Sequence, residues 1–278
     1  MTATALPAST RIAFIGGGNM ASAIIGGLIR QGLPAARIDV VEPFEATRAA
    51  LLQQHGVTAL PAAGEALARC AVVVWAVKPQ TFAEAAASVK AFAANALHLS
   101  VAAGIPSASI ARWLGTERIV RAMPNTPALV GQGMTGLFAR EAAGAADRAQ
   151  VEQVLAPTGR LLWVDDEKAL DAVTAVSGSG PAYVFYFIEA MTEAGVEMGL
   201  TPAQAHQLAV GTFTGASALA AGADEPPAVL RERVTSKGGT THAAISAMEH
   251  AGLKAQFKAA IRAAECRAGE LAAEFGRG

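Results

Sequence analysis

The sequence predicts an α/β protein of two domains, a parallel sheet with covering helices over residues 1–164 and an all-helical domain over residues 165–278. Short runs rich in Val and Ile alternate with Ala-rich stretches as far as about Met134, which is typical of βαβ units. After about Val164 the β signal ends and only helical patterns follow. At 278 residues the chain is also longer than most chains that fold around a single hydrophobic core.

Five strands are predicted, over residues 12–15, 38–41, 72–76, 98–102 and 119–122. Between the third and fourth strands, Thr81 and Glu84 have the spacing of a capping box, which predicts a helix start at Thr81. In the second domain, helices are predicted over residues 168–176, 181–198, 202–221, 228–234 and 240–275. Thr201 and Gln204 form another predicted capping box, with Pro202 at the first helical position.

The composition argues against several classes of function. Hydrophobic residues make up 52% of the chain and charged residues 16%, so we expect a folded core. With 22 basic and 23 acidic residues, the net charge of -1 gives no field that would gather nucleic acid or an anionic membrane surface. Residues 1–10 lack the features of a signal peptide, and the histidines lack metal-ligand spacing, so no metal is predicted. The well separated Cys70 and Cys266 predict reduced thiols and a cytoplasmic location.

The segment Gly16-Gly17-Gly18-Asn19-Met20-Ala21 follows the first strand and opens a helix, which is the context that the GxGxxG/A dinucleotide-binding pattern requires. Gly16 permits a tight turn, Gly18 lets the backbone approach a pyrophosphate, and Ala21 allows close packing of helix on strand. The helix start offers N–H groups and a positive dipole end to phosphate. We therefore predict a Rossmann domain; a glycine turn without a ligand is the alternative. The predicted cofactor contacts here are Gly16, Gly18, Asn19, Met20 and Ala21.

Glu42 ends the second strand, where an acidic residue can accept hydrogen bonds from the adenosine ribose hydroxyls. This position favours NADH over NADPH. A solvated glutamate before a proline turn is the alternative, and Arg48 in the next helix is able to meet a 2′-phosphate. The coenzyme is therefore predicted as NADPH or NADH, with the preference open.

Open α/β sheets bind ligands at the carboxyl ends of their strands, so the loops after the third and fourth strands are predicted to flank the cofactor. The residues concerned are Ala76, Val77, Lys78, Ala102 and Ala103. For Lys78 a plain charged loop residue is an equal alternative. Asn125 lies between two prolines in Met123-Pro124-Asn125-Thr126-Pro127, which holds its amide in a fixed loop. We predict a hydrogen bond from Asn125 to the cofactor or the substrate.

Two Gly-rich loops lead into helices in the second half of the chain, Ser177-Gly178-Ser179-Gly180-Pro181 and Thr235-Ser236-Lys237-Gly238-Gly239-Thr240-Thr241. Each presents hydroxyls and N–H groups at a helix start, where a carboxylate can bind. One such loop is usually only a cap, whereas two beside a nicotinamide site predict an anionic substrate. The first loop also interrupts the most apolar stretch, residues 172–188, which argues against a membrane span.

The chain resembles the Δ1-pyrroline-5-carboxylate reductase family from Arg11 nearly to its end. The resemblance is carried by six ordered motifs, GGGNMA, AVKPQ, SVAAGI, RAMPNTPALVGQG, VSGSGPAYVF and VTSKGGTTHAA. It implies NAD(P)H-dependent reduction of 1-pyrroline-5-carboxylate to L-proline, the last step of proline biosynthesis. It also implies a 6-phosphogluconate-dehydrogenase-like architecture, in which the helical domain dimerises with a second copy, and possible rings of such homodimers.

The resemblance further implies that Ser236, Gly239, Thr240 and Thr241 hold the substrate carboxylate and imine, with the Thr241 hydroxyl near the ring nitrogen. Glu167 matches an acidic position that touches substrate in the family, and Ser177 is included as a substrate contact. Thr241 is the predicted catalytic residue. This sequence departs from the family pattern at two places. Lys237 stands where the family often has Pro, and residues 62–65 lack the Asn that contacts the cofactor in other members of the family.

Two alternatives stay open. A related reductase would act on a 2-hydroxy acid or another cyclic imine, but a hydroxyacid dehydrogenase would be expected to carry a Lys base on a helix where residues 181–198 have none. A regulator that only senses the nucleotide is the second alternative, and the polar loops at Ser177 and Ser236 count against it. His242 neighbours Thr241 but points elsewhere on the helix, so we predict a solvated side chain rather than a proton donor.

Overall fold

The computed structural model describes residues 6–7 and 9–276. Its strands are β1 (Ile12–Ile15), β2 (Ile38–Val41), β3 (Ala59–Leu60), β4 (Val72–Trp75), β5 (Leu97–Ser100), β6 (Ile119–Met123), β7 (Gly133–Ala139) and β8 (Gly159–Trp163). They form an eight-stranded sheet in the order β3-β2-β1-β4-β5-β6-β7-β8. Neighbouring strands are parallel except β6 and β7, which are antiparallel. The mostly parallel sheet confirms the predicted fold class.

All five predicted strands are present, with ends shifted by at most two residues. Strands β3, β7 and β8 were not predicted. In β7 the pattern is weakened by Gly133 and Gly136, and the structure shows why a glycine is needed at the second position. A Cβ atom at Gly136 would lie 2.7 Å from a methyl group of Val173. Close packing against the helix that carries Val173 therefore removes the side chain that would have signalled a strand.

The helices are α1 (Asn19–Arg30), α2 (Glu45–His55), α3 (Phe82–Val89), α4 (Ser107–Leu114), α5 (Ala145–Leu155), α6 (Ala169–Val173), α7 (Gly180–Glu197), α8 (Pro202–Gly222), α9 (Pro227–Arg233), α10 (Thr240–His250) and α11 (Leu253–Phe275). A π-helical turn, Thr174–Gly178, precedes α7. Within the described residues, none of these helices combines the length and the hydropathy needed to cross a bilayer.

The observed helix ends agree with some of the predicted helix starts and ends and differ from others. The capping box at Thr201 is confirmed, because its hydroxyl accepts the N–H of Gln204 and the Gln204 side chain accepts the N–H of Thr201. The predicted helix start at Thr81 is confirmed, because Thr81 directly precedes α3, but the capping box there is wrong: the hydroxyl donates to the carbonyl of Lys78 at 3.1 Å and does not cap α3. The single predicted helix over residues 240–275 is also wrong, because Gly252 has a left-handed φ of +67° that separates α10 from α11.

Hydrophobic side chains pack on both faces of the sheet. Along β1, Ile12 and Phe14 belong to one buried cluster, whereas Ala13 and Ile15 belong to the other. Successive side chains of a strand point to opposite faces, so a strand that is apolar at every position must be covered on both sides. Because both faces of the sheet are covered, a ligand can reach it only at the loops that follow the ends of the strands.

The chain forms two compact units. The first runs to Gly178 and also includes the chain from Ala264 onward, and it contains the whole sheet. The second is Ser179–Ala263, which holds α7 to α10 and the first part of α11. The domain boundary predicted from the sequence, between residues 164 and 165, stays a prediction.

Candidate dinucleotide and substrate sites

Three consecutive glycines join β1 to α1, and they differ in what requires them. Gly16 has a φ of +92°, and a Cβ atom there would lie 2.7 Å from the carbonyl oxygen of Ala76. A Cβ atom at Gly17 would lie 2.6 Å from Leu51. At Gly18, φ is -68° and no heavy atom lies within 4 Å of the Cβ position. The protein's own packing therefore requires Gly16 and Gly17, whereas Gly18 leaves space that a pyrophosphate can occupy.

Helix α1 begins beside this space without a cap of its own. Gly18 precedes the helix, no side chain caps the first turn, and no acidic residue lies in that turn. Gly18 and Asn19 are exposed, Met20 is half-buried and Ala21 is part of the core. The first N–H groups of a helix lack partners within the helix and carry the positive end of its dipole. This helix start is therefore suited to an anion.

The other predicted cofactor loops lie at the same edge of the sheet, because β1, β2, β4, β5 and β6 are parallel. Backbone hydrogen bonds tie each loop to its neighbour, from Gly16 N to Val41 O at 2.8 Å, from Ala76 N to Ile15 O at 2.8 Å and from Val101 N to Trp75 O at 3.0 Å. Ala76 and Val77 are half-buried, Ala102 is buried, and Lys78 and Ala103 are exposed. The structure thus brings these predicted residues together at one edge.

Glu42 points its carboxylate at backbone N–H groups. Oε2 accepts the N–H of Gly17 at 2.8 Å, Oε1 accepts the N–H of Phe44 at 2.9 Å, and the residue is 6% exposed. Arg48 of α2 donates from Nη1 to the carbonyl of Glu42 at 3.0 Å and to that of Pro43 at 2.7 Å. The contact of Glu42 with a ribose stays a prediction, while its contact with the glycine loop is present in the structure.

Asn125 joins three segments of the first unit. Its Oδ1 accepts the N–H of Met134 at 2.9 Å, and its Nδ2 donates to the carbonyl and the hydroxyl of Ser177, both at 3.2 Å. Two predicted site residues, 52 positions apart in sequence, are thereby in contact. The amide therefore holds the π-helical turn that carries Ser177 against the loop after β6. The predicted hydrogen bond from Asn125 to a ligand would be additional to these contacts.

Glu167 is the centre of a polar cluster that the sequence analysis missed. It accepts the N–H of Ser107 at 2.6 Å, the hydroxyl of Ser107 at 2.5 Å and Nη1 of Arg121 at 2.6 Å. Arg140 donates to the same hydroxyl at 3.1 Å. Burial alone would raise the pKa of the Glu167 carboxyl, but Arg121 and the bonds from Ser107 outweigh it and hold that pKa below its usual value. The available signal was Arg121 within a strand, since a buried guanidinium needs a carboxylate partner.

In the second unit, α10 begins at Thr240 without a side-chain cap and without an acidic residue in its first turn. Gly238 has a left-handed φ of +75°, and Gly239 donates its N–H to the carbonyl of Ser236 at 3.0 Å. Ser236 and Thr240 are exposed, Thr241 is half-buried, and His242 is exposed as predicted. This helix start presents hydroxyls and N–H groups that suit a carboxylate. Glu167 and Ser177 lie in the first unit, and residues 236–241 lie in the second.

Comparison with known proteins gives long matches to one kind of enzyme. The chain is 46% identical over 269 residues to the pyrroline-5-carboxylate reductase of Pseudomonas aeruginosa, which covers 96% of this chain and 98% of the relative. The chain belongs to the pyrroline-5-carboxylate reductase family. The reductase of Haemophilus influenzae is 41% identical to it over 270 residues, covering 95% of this chain and 98% of the relative.

Two family models match separate parts of this reductase. The model described as pyrroline-5-carboxylate reductase dimerisation matches residues 167–271, and the model described as NADP oxidoreductase, coenzyme F420-dependent, matches residues 11–104. Among solved structures, a pyrroline-5-carboxylate reductase from Coxiella burnetii is 38% identical with a TM-score of 0.89, covering 95% of this chain and 98% of that chain. A Plasmodium falciparum pyrroline carboxylate reductase with NADP bound is 27% identical with a TM-score of 0.83, at the same coverage.

These comparisons confirm the predicted family, enzyme class and coenzyme type. Members of the family reduce 1-pyrroline-5-carboxylate to proline with NAD(P)H, and this confirms the reaction predicted from the six motifs. This reductase is thus an NAD(P)H-dependent oxidoreductase of proline biosynthesis with a small-molecule substrate. Its helical domain is a dimerisation domain, which makes the protein a homo-oligomer.

Proposed function

We propose that this chain reduces 1-pyrroline-5-carboxylate to L-proline, with the pyrophosphate of NAD(P)H on residues 16–21 and the substrate carboxylate at the start of α10. The observation that carries the proposal is Gly18, whose open Cβ position adjoins a helix start that no side chain caps. Gly18 follows β1 at the carboxyl ends of the parallel strands, where open α/β sheets bind ligands, and no acidic residue lies in the first turn of α1, so a phosphate can approach the backbone there.

The proposed coenzyme site follows the edge of the sheet. The pyrophosphate is held by Gly16, Gly18, Asn19, Met20 and Ala21, and Glu42, at the strand end nearest the ribose, holds the glycine loop through the N–H of Gly17. The nicotinamide side is formed by Ala76, Val77, Lys78, Ala102, Ala103 and Asn125. In support, their loops are joined by backbone hydrogen bonds at a single edge, and small residues there leave room for a ring.

The proposed catalytic residue is Thr241. Bound NAD(P)H would supply the hydride to the imine carbon. Hydride addition to the imine carbon leaves an electron pair on the ring nitrogen, and a proton from water completes the amine. A hydrogen bond from the Thr241 hydroxyl to that nitrogen would be strongest in the transition state, as the electron pair develops. Ser236, Gly239 and Thr240 orient the ring by its carboxylate. Glu167 and Ser177 stay predicted substrate contacts, and the lowered pKa of Glu167 keeps it ionised at neutral pH.

We also propose that the functional oligomer contains a homodimer formed through the helical domain. Large apolar side chains are exposed on the second unit, among them Phe185 at 64%, Tyr186 at 69%, Met198 at 78% and Leu208 at 59%. Apolar surface of this size on a separate chain indicates a protein interface. Light scattering of the purified protein would give the mass of the assembly and test for a ring of dimers.

The cytoplasm is the proposed compartment. Cys70 and Cys266 are both free thiols, which is the ordinary state of cysteines in a reducing environment. Cys70 is buried, and burial, with the nearby carboxylate of Asp39, raises the pKa of its thiol to about 12. It is therefore protected from oxidation.

The test of the coenzyme site is Gly18→Val, with Gly144→Val as its matched control. Gly144 precedes α5 as Gly18 precedes α1, with φ and ψ of -73° and -171° against -68° and -171°, and neither has a heavy atom within 4 Å of the Cβ position. Gly144 follows β7, which is antiparallel to β6, so it lies at the opposite edge of the sheet.

Titration of the quenching or enhancement of coenzyme fluorescence would measure the two affinities. We expect Gly18→Val to weaken coenzyme binding on the order of a hundredfold, because two or more charge-assisted hydrogen bonds to phosphate are lost. Gly144→Val should stay within about twofold of the unaltered protein, since surface changes of this kind have small effects. Undiminished affinity in Gly18→Val would remove residues 16–21 from the proposed site.

A further inference from the structure

The carboxylate of Glu42 has a role that does not require a ribose. Both oxygens accept backbone N–H groups, one from Gly17 in the glycine loop and one from Phe44, and the residue is 6% exposed. A ribose hydroxyl would have to reach a carboxylate that is already hydrogen-bonded and nearly closed to solvent. Glu42 therefore positions the glycine loop, and it is poorly placed to recognise the 2′-hydroxyl that distinguishes NADH from NADPH.

Arg48 lies beside Glu42 and forms no ion pair among the described residues. Its Nη1 donates to the carbonyls of Glu42 and Pro43, and in the described part of the chain no carboxylate pairs with it. Among the other described arginines of the first unit that are at least partly buried, Arg37 lacks such a partner, whereas Arg11 pairs with Asp39, Arg118 with Asp147, Arg121 with Glu167 and Arg140 with Glu117.

The two carbonyl contacts also fix where the guanidinium stands. They hold Nη1 against the backbone that directly follows β2, the strand end at which a Rossmann fold places the adenosine ribose. Among the hydrogen bonds of the described residues, none is donated by Nε or Nη2 of Arg48. A planar guanidinium with the three N–H groups of Nε and Nη2 to spare is suited to bidentate binding of a phosphate.

We propose that Arg48 binds the 2′-phosphate of NADPH and makes this reductase prefer NADPH to NADH, the reverse of what Glu42 predicts from sequence. The inference rests on the proposed placement of the dinucleotide along residues 16–21. Arg48 is then the specificity-determining residue, and Glu42 serves both coenzymes equally by holding Gly17.

Steady-state reduction of 1-pyrroline-5-carboxylate with each coenzyme tests this directly. The unaltered enzyme should have a kcat/KM for NADPH at least about tenfold above that for NADH, the value of one charge-assisted contact. Arg48→Gln should lower kcat/KM for NADPH by ten- to a hundredfold more than for NADH, and Arg48→Lys should retain part of the preference.

Two further variants serve as controls. Arg37 is also half-buried and has no carboxylate partner among the described residues, but it directly precedes β2 and so lies at the opposite edge of the sheet. Arg37→Gln should leave the coenzyme ratio unchanged. Glu42→Gln should weaken both coenzymes by a similar factor, because it disturbs the glycine loop and not the 2′ position.

Binding measured without turnover separates this inference from the proposed reaction. Titration with NADPH, with NADH and with adenosine 2′,5′-bisphosphate as competitor needs no substrate. Selective binding of NADPH that is lost in Arg48→Gln supports the inference even if no 1-pyrroline-5-carboxylate is reduced. Equal losses for both coenzymes in Arg48→Gln, or an unaltered enzyme that prefers NADH, would overturn it.

Discussion

His98 gives the chain a pH-dependent stability that can be worked out from its surroundings. The ring is 1% exposed in β5, and its Nδ1 accepts a hydrogen bond from Nε1 of Trp75 at 3.0 Å. Burial, with a smaller contribution from the charge of Arg118, lowers the pKa of His98 from 6.5 to about 4, against a backbone hydrogen bond at Ala93 that raises it. The folded protein therefore holds this ring neutral at pH values where the unfolded chain binds a proton.

The sign and the size of the effect follow from these two pKa values. Stability from His98 is fully present above pH 6.5 and is lost as the pH falls toward 4. A difference of 6.5 − 4 = 2.5 pKa units corresponds to roughly 3 kcal/mol, of which about 2 kcal/mol is lost by pH 5. We expect His98→Asn to remove this pH dependence, because an Asn oxygen can still accept from Trp75 but does not titrate.

The assay is urea unfolding at pH 7.5 and pH 5, at one fixed protein concentration because the protein is an oligomer. His206 is exposed on α8, so His206→Asn is the matched control and should keep the pH dependence of the unaltered protein. If the unaltered protein and His98→Asn lost the same free energy of unfolding between the two pH values, the assignment of a buried neutral His98 would be wrong.

Two other substitutions test the site. Thr241→Ala should lower kcat on the order of a hundredfold with unchanged coenzyme affinity, because the hydrogen bond to the developing nitrogen pair is lost, and Thr241→Ser should restore most of it; an unchanged kcat would remove Thr241 from the mechanism. Glu167→Gln should lower the free energy of unfolding by roughly 2 kcal/mol, because Arg121 is 9% exposed and would lose its counter-charge. Glu117→Gln is the control, since Glu117 is 61% exposed and its removal should have a much smaller effect in the same urea titration.

Local patterns of the sequence were sufficient for much of the fold. The five strands rich in Val and Ile were predicted because each needs only its own residues to be recognised. Strand β7 was missed because Gly136 is required by the packing of Val173, a residue that the strand's own sequence does not contain. The break at Gly252 was missed because Ala-rich sequence on both sides continues the helical pattern.

In the candidate site too, features formed by neighbouring residues were predictable from the sequence, whereas contacts between distant residues were not. The glycine loop was predictable because the turn, the approach of a pyrophosphate and the helix start all depend on six consecutive residues, 16–21. The cluster around Glu167 was not, because Ser107 and Arg121 lie 60 and 46 residues away in sequence. The inward orientation of Glu42 was likewise hidden, since it depends on Gly17, 25 residues earlier.

The most direct test of the central claim is to mix the purified protein with NADPH or NADH and chemically prepared 1-pyrroline-5-carboxylate. Loss of nicotinamide absorbance and formation of L-proline would be followed together. We predict that one L-proline forms for each coenzyme oxidised, with NADPH consumed faster than NADH. Absence of L-proline with either coenzyme, from protein that still binds one of them, would contradict the reductase assignment and favour another imine substrate or a nucleotide-sensing role.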